Sequence, residues 1–259
     1  MTASPASAVS DPDFGLVRRT PDKIRLVCAT RLSTEEFFAS SALGRSLPHY
    51  RTFPRGQPIE LRLFAANSAP LATAYNKAID EAASDPAILV FVHDDVYLND
   101  FYWARHLLDG LNAFHVVGLA GNRRRAAGQA SWMFLDGAFH RDEDANLSGV
   151  LGHGNGFPDL IELSVYGHPG QEVRLLDGVF LAVRSVDLIR AGVRFDPRFA
   201  FHFYDLDFCR QAEISGLRMG TWAISVIHAS PGRLGSPAWR SAYSTYLQKY
   251  GERDPVAMR

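Results

Sequence analysis

Cysteine is nearly absent, with two residues in 259. Cys28 lies in an apolar strand-like run and Cys209 in a helical one, so both read as reduced, packed thiols. Neither spacing offers a zinc site or a disulfide framework. Net charge is missing too, since 27 basic residues stand against 28 acidic ones, for −1 overall. No global field therefore recruits nucleic acid or an anionic membrane. No apolar run approaches membrane-spanning length. The opening stretch from Met1 to Asp13, rich in Ser, Ala, Pro and Asp, lacks the basic and apolar regions of a signal peptide. Residues 1–22 are accordingly expected to form a disordered tail, and the cytoplasm is the expected compartment. There is no internal repeat.

What is present is a large apolar fraction, 47%, enough for one sizeable core. Its most informative piece is Ala87-Ile88-Leu89-Val90-Phe91-Val92-His93-Asp94-Asp95, a strand-length apolar run that stops in two adjacent carboxylates. A buried strand cannot hold charge, so the acids must sit where the strand leaves the sheet. In open α/β sheets that is the end where ligands bind. A divalent cation bridging an anionic substrate would relieve the repulsion between them, although a turn-and-cap role before the helical stretch from Phe101 to Leu111 is an equal reading. A second acidic pair occurs in Tyr204-Asp205-Leu206-Asp207, and His228 ends another apolar run. Each has an ordinary reading as well, as first-turn helix acids and as a strand-end histidine. Arg123-Arg124-Arg125 is either a solvated basic loop or a holder of a phosphate or anionic acceptor.

The pattern of elements points to an α/β fold. Ile24 to Ala29 reads as a first strand, followed by a helix capped by Ser33 or Thr34. Pro58 to Ala65 alternates as a second strand. Leu71, Ala74, Tyr75, Ala78, Ile79 and Ala82 keep helical spacing behind Pro70. With the strand ending at His93, this is a parallel half-domain. Farther on, Phe114 to Ala120 reads as a buried strand and Gly121 to Phe157 as a long functional loop, expected to close over substrate. A strand within Glu172–Val183, a short helix closed by Gly192, a helix from Asp205 to Ser215 and a last strand from Leu217 to His228 follow. The expected organisation is a domain over 23–230 and a C-terminal extension over 231–259 that contains a helix from Ala238 to Tyr250.

Several landmarks, in one order over roughly residues 24 to 230, carry a resemblance: Ala29-Thr30-Arg31, Ala74-Tyr75-Asn76-Lys77-Ala78-Ile79, Phe91-Val92-His93-Asp94-Asp95-Val96, Asp177-Gly178-Val179-Phe180-Leu181-Ala182-Val183-Arg184, and Phe195-Asp196-Pro197 leading into Tyr204-Asp205-Leu206-Asp207-Phe208-Cys209-Arg210. The chain resembles family-2-type glycosyltransferases of the GT-A fold, and is similar to the small glycosyltransferase-like domains of streptomycin-biosynthesis type. The resemblance implies a Rossmann-like mixed central sheet flanked by helices. It also implies transfer of one sugar from a nucleoside-diphosphate sugar, UDP-linked, to a discrete acceptor hydroxyl, with inversion and with Mn²⁺ or Mg²⁺ as cofactor.

Residue by residue, Asp94 and Asp95 match the family's DXD-type motif, in which the last acid holds the metal and the first usually meets the ribose. Asp94 is thereby counted with Asp95 and His228 at the metal site, nearer the ribose or just outside the ion. His228 matches a histidine that completes the metal site. Thr30, Arg31 and Asn67 match positions lining the nucleoside pocket, with Asn76 on the nearby helix. Asp205 matches the general base, and Asp177 belongs to a segment facing the acceptor. Asp207, two residues on, points about 200° away around a helix and is expected to serve the helix N-terminus.

Three positions depart from the family pattern. His93 replaces an acid or small residue, Tyr204 stands where the motif usually has Glu, and Asn67 replaces a common Asp that hydrogen-bonds the base. The Gln-x-x-Arg-Trp signature and membrane helices of processive synthases are absent, so single-sugar transfer to a discrete acceptor is the better expectation. Two other classes compete with this reading. One is a catalytically inactive nucleotide- or glycan-binding domain of the same fold. The other is a nucleotidyltransferase, disfavoured because Cys28-Ala29-Thr30-Arg31-Leu32 is not Gly-rich.

Overall fold

The computed structural model describes residues 23–50, 58–156, 159, 161–230 and 234–258. The expected tail over 1–22 lies outside the described residues, as do Phe157 and Pro231. The chain forms β1 (Ile24–Ala29), α1 (Thr34–Ser40), α2 (Ala42–Ser46), β2 (Ile59–Phe64), α3 (Leu71–Glu81), β3 (Ile88–Val92), β4 (Val96–Leu98), α4 (Trp103–Ala113), β5 (Val116–Gly118) and β6 (Ala120–Asn122). There follow β7 (Leu147–His153), β8 (Glu162–Gly167), β9 (Glu172–Val173), β10 (Leu175–Leu176), β11 (Phe180–Arg184), α5 (Ser185–Ala191), α6 (Tyr204–Ile214), β12 (Met219–Thr221), β13 (Val226–His228) and α7 (Pro237–Tyr250).

All five residues of β3 are buried, as a strand covered on both faces requires. It is an inner strand, the third of seven in a sheet ordered β2-β1-β3-β11-β5-β12-β9. β1 pairs in parallel with β2 and β3, and β5 with β12, while β11 runs antiparallel between β3 and β5. α3 packs Leu71, Ala72, Ala74, Tyr75, Ala78 and Ile79 inward, which is the face its spacing predicts. The fold is therefore mixed α/β, as expected. Among the described residues no helix is long and apolar enough to cross a membrane.

A second sheet, ordered β10-β6-β7-β13-β4 with β8 on the other side of β7, leaves the end of the first. The sequence pattern did not reveal it. The segment from Gly121 is not one long loop: β7 is a seven-residue strand pairing with β6, β8 and β13. Gly149, at φ 107°, and the bulge beside it break the alternation that marks a strand, so β7 carries no clear period. Likewise Leu217–His228 is not one strand. β12 completes the first sheet and β13 enters the second, with Thr221 Oγ1 2.6 Å from Ser148 Oγ where the chain crosses over. Glu172–Val183 contains β9, β10 and the start of β11 rather than a single strand.

α7 buries Trp239, Tyr243 and Tyr246 in the main hydrophobic cluster. Their rings lie 5.3, 5.4 and 5.2 Å from that of Phe203, which precedes α6 at φ 65°. A left-handed backbone costs a non-glycine residue about 1–2 kcal/mol, and this aromatic enclosure holds it in place. Asp207 does more than serve the helix N-terminus. It is fully buried and accepts hydrogen bonds from Lys249 Nζ, from Tyr250 Oη at 2.7 Å and from Gln211 Nε2 at 2.6 Å, tying α7 to α6. The basic run is also structural in part. Arg124 chelates the enclosed Asp142, with Nε at 2.9 Å from Oδ2, and Arg125 pairs with Glu213 and Glu252 at 3.5 and 3.6 Å.

Candidate active site

The turn after β3 lies where the two sheets meet. The Asp94 carbonyl accepts from Leu43 N at 3.0 Å and the Asp95 carbonyl from Ala229 N at 2.9 Å, so backbone bonds from α2 and from the end of β13 hold both acids in place. β13 pairs antiparallel with β4, in register His228 to Val96, which brings His228 beside Asp95 from 133 positions away. Asp95 Oδ2 lies 3.4 Å from His228 Nε2, and Asp95 Oδ1 lies 3.8 Å from His93 Nδ1. His93, Asp95 and His228 each offer a ligand atom within 4.8 Å of the others. Asp95 Oδ1 is buried and has no hydrogen-bond partner among the described residues. An orphaned, electron-rich oxygen between two imidazoles fits a cation.

The electrostatics of the cluster are mutual. Burial opposes ionisation of Asp95, but the hydrogen bond from His228 and the two imidazoles outweigh it and hold the carboxyl below its usual range. Burial disfavours a charged His228, and there Asp95 and then Asp177 reverse the balance and raise its pKa. For His93 burial, helped by the neighbouring His228, outweighs the carboxylates and the pKa falls.

Asp94 turns the other way. Its Oδ2 accepts from Thr30 Oγ1 at the end of β1, so it stands apart from the metal-type cluster. Thr30 also holds Asn67, whose N–H donates to the Thr30 carbonyl at 2.8 Å, while the Asn67 amide donates to Ala69 O at 2.9 Å. Arg31 is exposed beside them. The structure thus gathers Thr30, Arg31, Asn67 and Asp94 at one rim. Asn76 is not part of it. Its amide donates to Phe195 O at 2.8 Å and accepts from Phe195 N at 2.9 Å, so both polar atoms serve the loop before α6.

On the other side of the acid turn, Gly178 joins two elements. Its N–H donates to Asp205 Oδ2 at 3.1 Å, and its carbonyl accepts from Tyr204 Oη at 2.8 Å. A Cβ on residue 178 would stand 2.3 Å from that hydroxyl, so only glycine allows α6 to approach so closely. Asp205 also accepts from Leu206 N at 2.9 Å. Burial, and after it the charge of Asp177, push the Asp205 carboxyl up to about 7. Asp177 itself accepts from Trp132 Nε1 and Val179 N, at 2.8 and 2.9 Å. The segment after β6 therefore does reach this site, through Trp132.

Sequence reasoning missed His93 as a member of the cluster and Tyr204 as its neighbour, 2.7 Å from His93 Nε2. The signal available was position alone, since His93 immediately precedes the acid pair. Two surface hollows lie away from these residues, one beside Arg25, Glu60 and Asp85 and one lined by Leu163, Trp222 and Val226.

Comparison with known proteins gives the family. A family model described as "Glycosyltransferase like family" matches residues 51–231. A search of curated proteins finds no match. Among solved structures, the catalytic domain of Drosophila β1,4-galactosyltransferase 7 in complex with xylobiose is similar at 13% identity and a TM-score of 0.42. The alignment covers 77% of this chain and 64% of that one. The family match spans well over half of the chain, which therefore belongs to the glycosyltransferase-like family, of family-2 type.

Proposed function

We propose that the protein is a metal-dependent, inverting, non-processive glycosyltransferase that moves one sugar, a hexose, from a nucleoside-diphosphate sugar to a discrete acceptor hydroxyl. The observation that carries this reading is the division of labour around Gly178. A cation-type cluster of His93, Asp95 and His228 lies on one side of it, and a carboxyl raised to about 7 lies on the other. A base is most effective when its pKa is near the working pH, and Asp205 meets that condition. Asp205 takes the acceptor's proton, and Asp177, oriented by Trp132 and Val179, positions the acceptor hydroxyl.

A bound divalent cation supplies Lewis-acid stabilisation of the charge that grows on the leaving diphosphate. His93, Asp95 and His228 would hold it. Two imidazoles and one carboxylate suit Mn²⁺ better than Mg²⁺, which prefers oxygen and water. Asp94, restrained by Thr30, faces the ribose, and Thr30, Arg31 and Asn67 line the nucleoside pocket, with UDP as the expected carrier. Asn76 acts through the scaffold instead of touching the nucleotide. Two buried, free cysteines suit a reducing, cytoplasmic setting.

The test is a thermal-shift screen of nucleotide sugars with and without Mn²⁺, followed by measured release of nucleoside diphosphate in the presence of candidate acceptors. Mn²⁺-dependent stabilisation by a nucleotide sugar and release of its diphosphate is the expected result. Binding without any release would make the protein a binding domain. The absence of nucleotide-sugar binding altogether would remove the proposal.

A further inference from the structure

Tyr204 occupies the position where the family motif usually carries Glu, and His93 the position of an acid or small residue. The structure links these two departures. The Tyr204 hydroxyl lies 2.8 Å from the carbonyl oxygen of Gly178 and 2.7 Å from Nε2 of His93, on a residue only 2% exposed. A carbonyl oxygen can only accept, so the single phenolic proton is committed to Gly178. Toward His93 the same oxygen is then an acceptor. The ring proton of a neutral His93 must therefore sit on Nε2, which leaves the lone pair on Nδ1.

That lone pair does not face a donor. Nδ1 lies 3.8 Å from Asp95 Oδ1, which is buried and lacks a hydrogen-bond partner among the described residues. Two electron-rich atoms facing each other across this distance in a partly dry site repel, and a cation between them turns the repulsion into coordination. His228 approaches the same carboxylate on its other oxygen, at 3.4 Å.

We propose that Tyr204 is a positioning residue that fixes His93 as the Nε2–H tautomer, aiming Nδ1, together with Asp95 and His228, at a divalent cation. The inference rests on the metal-dependent reading above and explains why the two departures occur together. A histidine in the acid's place is useful as a ligand only if its outer nitrogen has an acceptor. A Glu at position 204 would supply that acceptor by adding a charge, whereas Tyr204 does so while neutral, because its own proton goes to Gly178. Gly178 belongs to the same device, since a Cβ there would stand 2.3 Å from the Tyr204 oxygen and separate hydroxyl from carbonyl.

The first measurement needs no variant. Long-range ¹H–¹⁵N NMR of metal-free, ¹⁵N-histidine-labelled protein, with the His93 signals assigned by their loss in H93Q, reports which ring nitrogen carries the proton. Nε2–H with a bare Nδ1 is expected, and Nδ1–H or a doubly protonated ring at pH 8 overturns the inference. The second measurement is a Mn²⁺ titration of wild type and Y204F, with and without UDP, followed by the EPR signal of the free ion. Loss of the partner that orients a metal-binding histidine weakens metal affinity by about 10- to 100-fold, and that drop is expected for Y204F with its circular dichroism unchanged. A wild type that binds Mn²⁺, together with Y204F of equal affinity, overturns this inference and leaves the proposed reaction standing. A wild type that takes up no Mn²⁺ in either condition removes the metal from the proposed reaction and the positioning role with it. If Y204F does not fold, the NMR result on the wild type decides.

Discussion

Replacing Asp205 by Asn separates the residue's proposed chemistry from what it costs the fold. Burial, and then the charge of Asp177, raise its carboxyl from the ordinary 3.8 up to about 7. Between roughly pH 4 and 7 the folded chain therefore holds a proton that the unfolded chain has released. The stability contributed by this group is complete below about pH 4 and is lost as pH rises through 7. At 1.36 kcal/mol for each of about three pH steps, the ionised carboxyl costs the fold roughly 4 kcal/mol at pH 8, an upper figure because the residue keeps part of its surface in water. D205N carries no such charge. Its single amide oxygen can accept only one of the two N–H groups, of Gly178 and Leu206, that the carboxylate now binds at 3.1 and 2.9 Å, a loss of about 1 kcal/mol. D205N should therefore be level with wild type or slightly below it at pH 4.5, and more stable by about 1–3 kcal/mol at pH 8. Turnover should fall roughly a hundredfold or more with donor affinity nearly unchanged. Urea denaturation of both proteins in metal-free buffer from pH 4.5 to 8 measures the difference. A stability difference that stays flat with pH would refute the buried, raised carboxyl. A stabilised variant that keeps full turnover would move the base elsewhere.

D95N should lose Mn²⁺-dependent nucleotide binding while its melting temperature stays near that of wild type, because Asp95 is half-buried and one of its oxygens has no partner to lose; calorimetric titration with and without Mn²⁺ reads this, and undiminished affinity would end the assignment. Wild type in the same titration should bind nucleotide more tightly with Mn²⁺ than with Mg²⁺, and equal affinity with both ions would contradict the role given to the two histidines. G178A brings a methyl group within 2.3 Å of the Tyr204 oxygen and 2.9 Å of Asp205 Cβ, so it should cost about 1–3 kcal/mol in urea denaturation and weaken Mn²⁺ uptake; a silent substitution would show that α6 can recede freely. D207A leaves Lys249 and Tyr250 without their shared buried acceptor and should destabilise by about 3–5 kcal/mol, with donor affinity unchanged in the folded fraction, whereas lost donor affinity in folded protein would place Asp207 in the site.

What could be read from the sequence was what each segment settles locally. The apolar run of β3 reads as a buried strand, the spacing from Leu71 to Ala82 as a one-sided helix, and two acids at the end of β3 must sit where the strand leaves the sheet. Ser33 with Glu36 forms the cap before α1 that its side chains specify. Segments whose local signal is weak were misread. Gly149 and Gly152 erase the alternation of β7, and the apolar stretch from Leu217 to His228 does not show where the chain leaves one sheet for the other.

The sequence by itself also determined which residue types are available for chemistry, and the family resemblance implies the roles proposed for Asp95, His228 and Asp205. Only the tertiary structure decided their partners. The pairing of β13 with β4 sets His228 beside Asp95, burial at the start of α6 and the charge of Asp177 raise Asp205, and the Tyr204 hydroxyl meets His93 across 111 positions of chain. The same helix sends Asp207 into the core, where Lys249 and Tyr250 of α7 meet it. The physical reason is that periodicity and capping are properties of neighbours along the chain, whereas a hydrogen bond, a tautomer or a displaced pKa depends on which distant segment the sheet register brings within about 3 Å.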